Sequence, residues 1–188
     1  AIIVVDSSGK VFAASPGNAH LVGTHLQAPQ ARQLLNVKES VAISPAFKGP
    51  DDRWMSIIAS SIFSRDGSYG GFVGGIIYLQ GDSALQNALD KFHYQHGSYF
   101  YIVDEKGTVV HHPHDSLIGS ALKDMELVPA LLRGEMGKQR MSDAESKGRL
   151  VSHAPIMIAN WGVVAHRPTE VALSNIDELF LQTLYYSL

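Results

Sequence analysis

Residues 102–122, Ile-Val-Asp104-Glu-Lys-Gly107-Thr-Val-Val-His111-His112-Pro113-His114-Asp-Ser-Leu-Ile-Gly119-Ser-Ala-Leu, have a near copy at the start of the chain. Residues 4–26 read VVDSSGKVFAASPGNAHLVGTHL, with Asp6 and Gly9 each 98 positions before Asp104 and Gly107, and with Gly23 answering Gly119 after small deletions. Both stretches predict a strand, a tight turn at Ser-Ser-Gly or Glu-Lys-Gly, a second strand and a loop punctuated by glycine. The similarity continues outward. RWMSIIASSI (53–62) followed by GGFVGGIIYLQGDSAL (70–85) corresponds to RLVSHAPIM (149–157) followed by NWGVVAHRPTEVAL (160–173), which aligns Arg53 with Arg149. The chain therefore reads as two diverged copies of one small module in tandem.

Each copy predicts strand, turn, strand, helix-bearing loop, three strands and a helix, with neighbouring strands joined by short turns such as Arg65 to Ser68. The fold class this implies is α+β: two modules, each an antiparallel five-stranded sheet with flanking helices. Residues 1–81 form the first module and 97–168 the second. Residues 82–96 form a connecting helix, because Leu85, Leu89 and Phe92 recur at helical spacing. Residues 169–188 form a terminal helix whose Val171, Leu173, Ile176, Leu179, Phe180, Leu184 and Tyr185 make a broad apolar face, either docked or leading toward a membrane. Both ends, one inside a strand-like run and one inside a helical run, read as cut from a longer chain.

The 188 residues, 45% hydrophobic and 18% charged with a net charge of -3, are those of a folded soluble protein. Scattered basic residues offer no stripe for phosphates, which argues against nucleic acid as a partner. Without cysteine there is no disulfide frame, thiolate nucleophile or thiolate metal site. No run approaches the roughly 20 apolar residues that cross a bilayer.

The motifs YIVDEKGTVVHHPHDSLIG (101–119), ISPAFKGPDDRWMSIIASSIFSRDGSYGGFVGGII (43–77) and NWGVVAHRP (160–168), in this order, resemble the double Cache (tandem PAS-like) sensor domains of bacterial transmembrane receptors. The resemblance covers nearly the whole chain. It implies a periplasmic or extracellular domain of a cell-membrane protein that relays ligand binding to a histidine kinase, diguanylate cyclase or chemotaxis output. It further implies a small-molecule ligand as partner, membrane attachment through helices lying outside this chain, and room for a homodimer. The family's long N-terminal helix is a departure, since this chain begins at what reads as the first strand.

In the family the ligand sits in the membrane-distal copy, against the third and fourth strands, which match Val41 to Phe47 and Arg53 to Phe63. Ser44, Phe47, Arg53, Trp54 and Ser56 are the candidates that follow. Alternation puts Arg53, Met55 and Ile57 on one face and Trp54, Ser56 and Ile58 on the other. Arg53 carries a planar donor fork suited to a carboxylate. Trp54 offers an apolar plane suited to a methyl, ring or ammonium group. Together they point to a small organic anion or amine, while the plainer reading makes Arg53 a strand-end surface residue and Trp54 a core residue. Amino-acid-binding members carry a spaced Arg-x-Trp-Tyr; the direct Arg53-Trp54-Met55 departs from that pattern. In the second copy Tyr101, Arg149 and His153 are the weaker candidates, with His153 also readable as a core histidine.

Catalytic and metal readings fare worse. Gly81-Asp82-Ser83 with Asp90 and His93 imitates esterase blocks, but Ser83 and His93 would lie about 15 Å apart along one helix, beyond hydrogen-bond reach. Ser83 reads instead as an early helix residue beside Asp82 as cap. His111 and His112 point to opposite strand faces, and Pro113 bends the path before His114, so a metal site would need another strand partner. YGGFVGG (69–75) lacks the lysine of a phosphate loop. The expectation is a sensor fragment without cofactor, metal or catalysis. Its rival is a protein-interaction or dimerisation module whose pockets are filled by core side chains.

Overall fold

The computed structural model describes residues 1–38, 41–89, 91, 96–121, 127–142 and 148–173. Two Asp-x-x-Gly turns set the frame. In the first, the Asp6 carboxylate closes the turn between β1 (Ile2–Asp6) and β2 (Val11–Ala14), accepting the N–H groups of Ser8 and Lys10 at 2.9 and 3.0 Å. Gly9 there has a positive φ of 87°, which a side chain would resist. In the second, Asp104 repeats the device between β7 (Tyr99–Val103) and β8 (Val109–His111), accepting from Lys106 and Thr108, both at 2.9 Å. The copies differ in one respect. Asp6 is part-exposed, whereas Asp104 is fully buried and its second oxygen accepts the Ala46 N–H from the first module at 2.9 Å.

The first sheet continues with β3 (Ala42–Ile43), β4 (Phe47–Lys48), β5 (Trp54–Phe63) and β6 (Tyr69–Tyr78), in the order β2-β1-β6-β5-β3 with β4 also on β5. The expected single strand from Val41 to Phe47 is thus two short pieces in one lane. Pro45 has no N–H to give to a ladder and interrupts it, and Ala46 turns its N–H to Asp104 instead. The first sheet has six strands rather than five, in five lanes. The second sheet adds β9 (Gly137–Ser142), β10 (Gly148–Ile156) and β11 (Trp161–Pro168) in the order β8-β7-β11-β10-β9, the same path through space. Short helices α1 (Pro29–Gln33) and α3 (Leu127–Leu132) occupy the connections from β2 to β3 and from β8 to β9, which join the two edge lanes of each sheet.

Within the span expected to connect the modules, α2 (Ala84–Leu89) is described. Its cap is Ser83 rather than Asp82: the Ser83 hydroxyl accepts the Gln86 N–H at 3.1 Å, while Asp82 accepts from the Asn87 side chain at 2.7 Å. Residues 90 and 92–95 lie outside the described residues. After β11, residues 169–173 are helical, and the remainder of the expected terminal helix, with Ile176, Leu179, Phe180, Leu184 and Tyr185, lies outside the described residues. No described helix is long and apolar enough to cross a membrane.

Alternation along the strands divides the apolar residues into three clusters. One face of the first sheet buries Ile3, Val5, Phe47, Met55, Ile57 and Phe72 under Ala31 and Leu34 of the α1 region. One face of the second buries Tyr101, Val103, Val109, Val151 and Val164 under Leu131 of α3. The third cluster joins the modules: Ala46, Trp54, Ile43, Ile77 and Leu79 pack on Phe100, Ile102, Val110, Ile118 and Trp161. At about 1.5–3 kcal/mol for each large apolar side chain removed from water, this shared cluster is a major part of the stability of either module.

Register shows which residues of the two copies are equivalent. Val5 pairs with Phe72 and Phe72 with Ser61; Val103 pairs with Gly162 and Gly162 with Pro155. Counting back along β5 and β10 sets Arg149 against Met55, not against Arg53 as the sequence alignment had it. The copies are too diverged for identity to resist a two-residue slip, and a slip of two preserves the face and hence the hydrophobic pattern.

Candidate ligand-binding sites

The five first-module candidates do not converge on one space. Phe47 is in the apolar core on the α1 side of the sheet. Ser44 and Ser56 are buried and satisfy one another: the Ser56 hydroxyl donates to the Ser44 carbonyl at 2.7 Å, and the Ser44 hydroxyl accepts the Ile57 N–H at 2.9 Å. Trp54 lies on the opposite face, in the cluster between modules, and its indole covers Gly119 so closely that a Cβ there would fall 1.9 Å from the ring. Arg53 alone of the five is exposed. Its guanidinium carbon is 3.7 Å from the centre of the Tyr78 ring, and its Nε hydrogen-bonds Asp51. The Asp51 hydrogen bond raises the Arg53 pKa, so the charge is permanent. The guanidinium thus lies over the Tyr78 ring just before β5, and it has more N–H donors than the one that Asp51 takes. Tyr78 was missed in the sequence, although Met55, two residues from Arg53, pairs with it across the strands.

The second-module candidates share one face. Arg149 and His153 lie on β10 and Tyr101 on β7, all on the side covered by α3. Tyr101 is buried, and burial pushes its pKa well up, with Tyr99 adding to the effect. The Arg149 guanidinium lies 5.8 Å from the Tyr99 ring centre. Two neighbours complete the group: His166, which the sequence did not single out, and His112, which it offered only as a metal ligand. His166 stacks on Tyr99, the rings parallel within 2° and 4.7 Å apart, and His112 is tilted against both tyrosines at 5.8 and 6.0 Å. Burial first, then the charges of Arg149 and His112, lower the His166 pKa to about 4. Burial likewise lowers that of His112, whose Nδ1 accepts the His114 N–H at 2.9 Å. Both rings are neutral at neutral pH.

His111 points to the other face, beside Phe100, with its Nδ1 2.6 Å from Gln86 Oε1. Among the described residues no three His, Asp or Glu side chains converge as a metal site would require. Ser83 serves its helix, and His93, the other half of the esterase-like pair, lies outside the described residues.

A cavity of about 450 Å³ lies between the modules, where α1 and the β3 lane meet residues 157–160 and Glu105. Gln30, Gln33, Ser44 and Asn160 give it polar edges, and Leu34, Ile43 and Met157 apolar ones. A second cavity of about 310 Å³ shares Glu105, Met157 and Asn160 with it. Neither includes Arg53 or Arg149.

A family model described as Cache domain matches residues 1–176. Among solved structures, an extracellular ligand binding receptor from Desulfohalobium retbaense DSM5692 superposes with a TM-score of 0.65 at 16% identity, over 88% of this chain and 29% of that one. The periplasmic sensory domain of the Campylobacter jejuni chemoreceptor Tlp1 gives 0.59 at 18% identity, over 85% and 59%. The ligand binding domain of the Pseudomonas aeruginosa PAO1 amino acid chemoreceptor PctB, in complex with L-Gln, gives 0.61 at 19%, over 96% and 75%. The chain thus spans less than two thirds of the first two. No curated protein matches the sequence. At these identities the likeness is one of fold.

Proposed function

The chain belongs to the Cache domain family, and on that premise we propose that it is the ligand-sensing part of a membrane signal-transduction receptor, exposed to the periplasm or the cell exterior. The domain is a binding module, not a catalyst. The observation that carries the reading is the link between modules. The outer lane of the first sheet, interrupted at Pro45, hands the Ala46 N–H to buried Asp104, the residue that closes the first turn of the second module. A ligand that moves this lane changes a hydrogen bond in the other module, and a ligand shifts an equilibrium only through such differential contacts.

The division of labour proposed is sensing by residues 1–81 and relay through 82–96, 97–168 and 169–188 to a histidine kinase, diguanylate cyclase or chemotaxis output. The ligand is a small organic anion or amine, with an anion favoured by Arg53 standing exposed on Tyr78. Around Arg53 the other four candidates act from behind and do not line the site: Phe47 anchors the lane in the core, Ser44 and Ser56 hold it by their hydrogen bonds, and Trp54 carries movement to Gly119. L-Amino acids are disfavoured by the direct Arg53-Trp54-Met55.

A thermal-shift screen of organic acids, amines, sugars and nucleobases tests this. A ligand at 100 times its Kd adds about 2.7 kcal/mol, and Arg53→Ala should abolish the shift given by an anion that binds there. If no compound raises the melting temperature, and Arg53→Ala leaves signalling intact, the sensor reading fails. The interaction-module reading would then gain ground, and one feature favours it: Ile2, Ile58, Ile62 and Val73 are exposed on one face of the first sheet.

A further inference from the structure

The cavity of about 450 Å³ belongs to neither module alone. The α1 region and the β3 lane of the first module form one wall, and Glu105 with residues 157–160 of the second forms the other. Its size is that of a small-molecule pocket. Pro45 on one wall and Glu105 on the other are the chain neighbours of Ala46 and Asp104, the two partners of the hydrogen bond that ties the modules together. An occupant of the cavity would sit against both ends of that link.

Two features of the walls point to an occupant. Gln30, Gln33 and Asn160 present amides and Glu105 a carboxylate, and among the described residues none of these four side chains is engaged in a hydrogen bond or ion pair with the protein. The Ser44 and Ser56 hydroxyls behind them are already satisfied by each other and by the backbone. Met157 and Ile158, which also line the cavity, are 74% and 73% exposed, large apolar groups left in water that an occupant would cover. Glu105 is the one charged side chain among the described residues that line this cavity. Lys38 is turned to the Tyr69 ring, its Nζ 5.9 Å from the ring centre, and residues 39 and 40, outside the described residues, are Glu and Ser and bring no cation. Arg133, on the adjoining smaller cavity, is held by Glu135.

We propose that this cleft is a second ligand site, for a small primary amine with an apolar body. An ammonium group has three N–H donors; the Glu105 carboxylate and the amide oxygens of Asn160 and Gln33 are the acceptors for them. The body lies against Leu34 and Ile43 of the first module and Met157 and Ile158 of the second. A quaternary ammonium carries the same charge but leaves the acceptors unused. Because the contacts come from both modules, an amine bound here holds the junction in this arrangement and acts directly on the link between Ala46 and Asp104. The site is separate from Arg53, which lines neither cavity, and its failure leaves the anion site untouched.

The Met157 methyl group is the readout. Protein of residues 1–188, carbon-13-labelled at the methyls of its five methionines, is titrated at pH 7.5 and fixed ionic strength, with Met157→Leu identifying the Met157 signal among them. The probes are the hydrochlorides of n-butylamine, isopentylamine and benzylamine. At least one should shift that signal saturably. Glu105→Gln and Gln33→Ala, both at exposed side chains whose loss does not threaten folding, should each weaken half-saturation at least fivefold. Glu170→Gln, which removes an exposed acid lining neither cavity, should leave it within twofold. Tetramethylammonium should bind at least fivefold more weakly than the best amine. The proposal is overturned if none of the three amines moves the Met157 signal saturably, or if Glu105→Gln or Gln33→Ala weakens binding less than fivefold. It is equally overturned if tetramethylammonium comes within fivefold of the best amine, or if Glu170→Gln weakens binding more than twofold, since either would mark a general effect of charge.

Discussion

His166 shows what a single buried side chain does to the whole stability profile. Its pKa falls from 6.5 to about 4 in the folded protein, chiefly through burial, with Arg149 and His112 adding to it. The unfolded ring takes up its proton as pH drops through about 6.5, and the folded ring only near 4. Between these values the unfolded state holds more protons, so the contribution is fully present above about 6.5, is lost as pH falls, and levels off below about 4. After allowance for solvent screening the loss is on the order of 1–2 kcal/mol. Urea denaturation at pH 7 and pH 4.5 should show this drop, with a smaller one in His166→Phe; equal drops in the two proteins would refute the assignment. Arg53 was legible as an anion-binding candidate because a lone arginine at a strand start stands out. What surrounds His166 was not legible, because alternation assigns a residue to a face without saying what that face meets.

At the scale of elements, turns were the most legible feature. Asp6 and Asp104 with Gly9 and Gly107 dictate local hydrogen bonds that any tertiary context must accept. Strand limits near Pro45 and the pairing of Arg149 with its first-module equivalent were not, since both depend on partners distant in sequence. Gly119 tests the element-level packing. It has a φ of 87°, and its missing Cβ leaves the space that the Trp54 indole fills. Gly119→Ala combines left-handed strain with overpacking against an aromatic ring, for a loss of about 2–4 kcal/mol. Urea titrations should show the loss, with tryptophan emission moving to longer wavelength; a variant within about 0.5 kcal/mol of the parent would mean that the Trp54 contact is not tight.

Across the whole molecule the two modules share a buried cluster and the Ala46–Asp104 hydrogen bond, so neither can unfold without exposing part of the other. Calorimetry should show one cooperative transition with matching calorimetric and van 't Hoff enthalpies. Asp104→Ala, which strands the N–H groups of Ala46, Lys106 and Thr108, should lower stability by about 2–4 kcal/mol; two separated transitions in the parent would contradict the coupling. The sequence alone determined the duplication, the α+β class and the positions of the turns, because these follow from local periodicity, glycine placement and short-range hydrogen bonding. Only the tertiary structure decided that Trp54 serves the junction between modules, that Asp104 reaches across it, and that the second sheet turns polar residues where the first turns aliphatic ones. Those facts depend on which faces of distant strands meet, and side-chain alternation is blind to that.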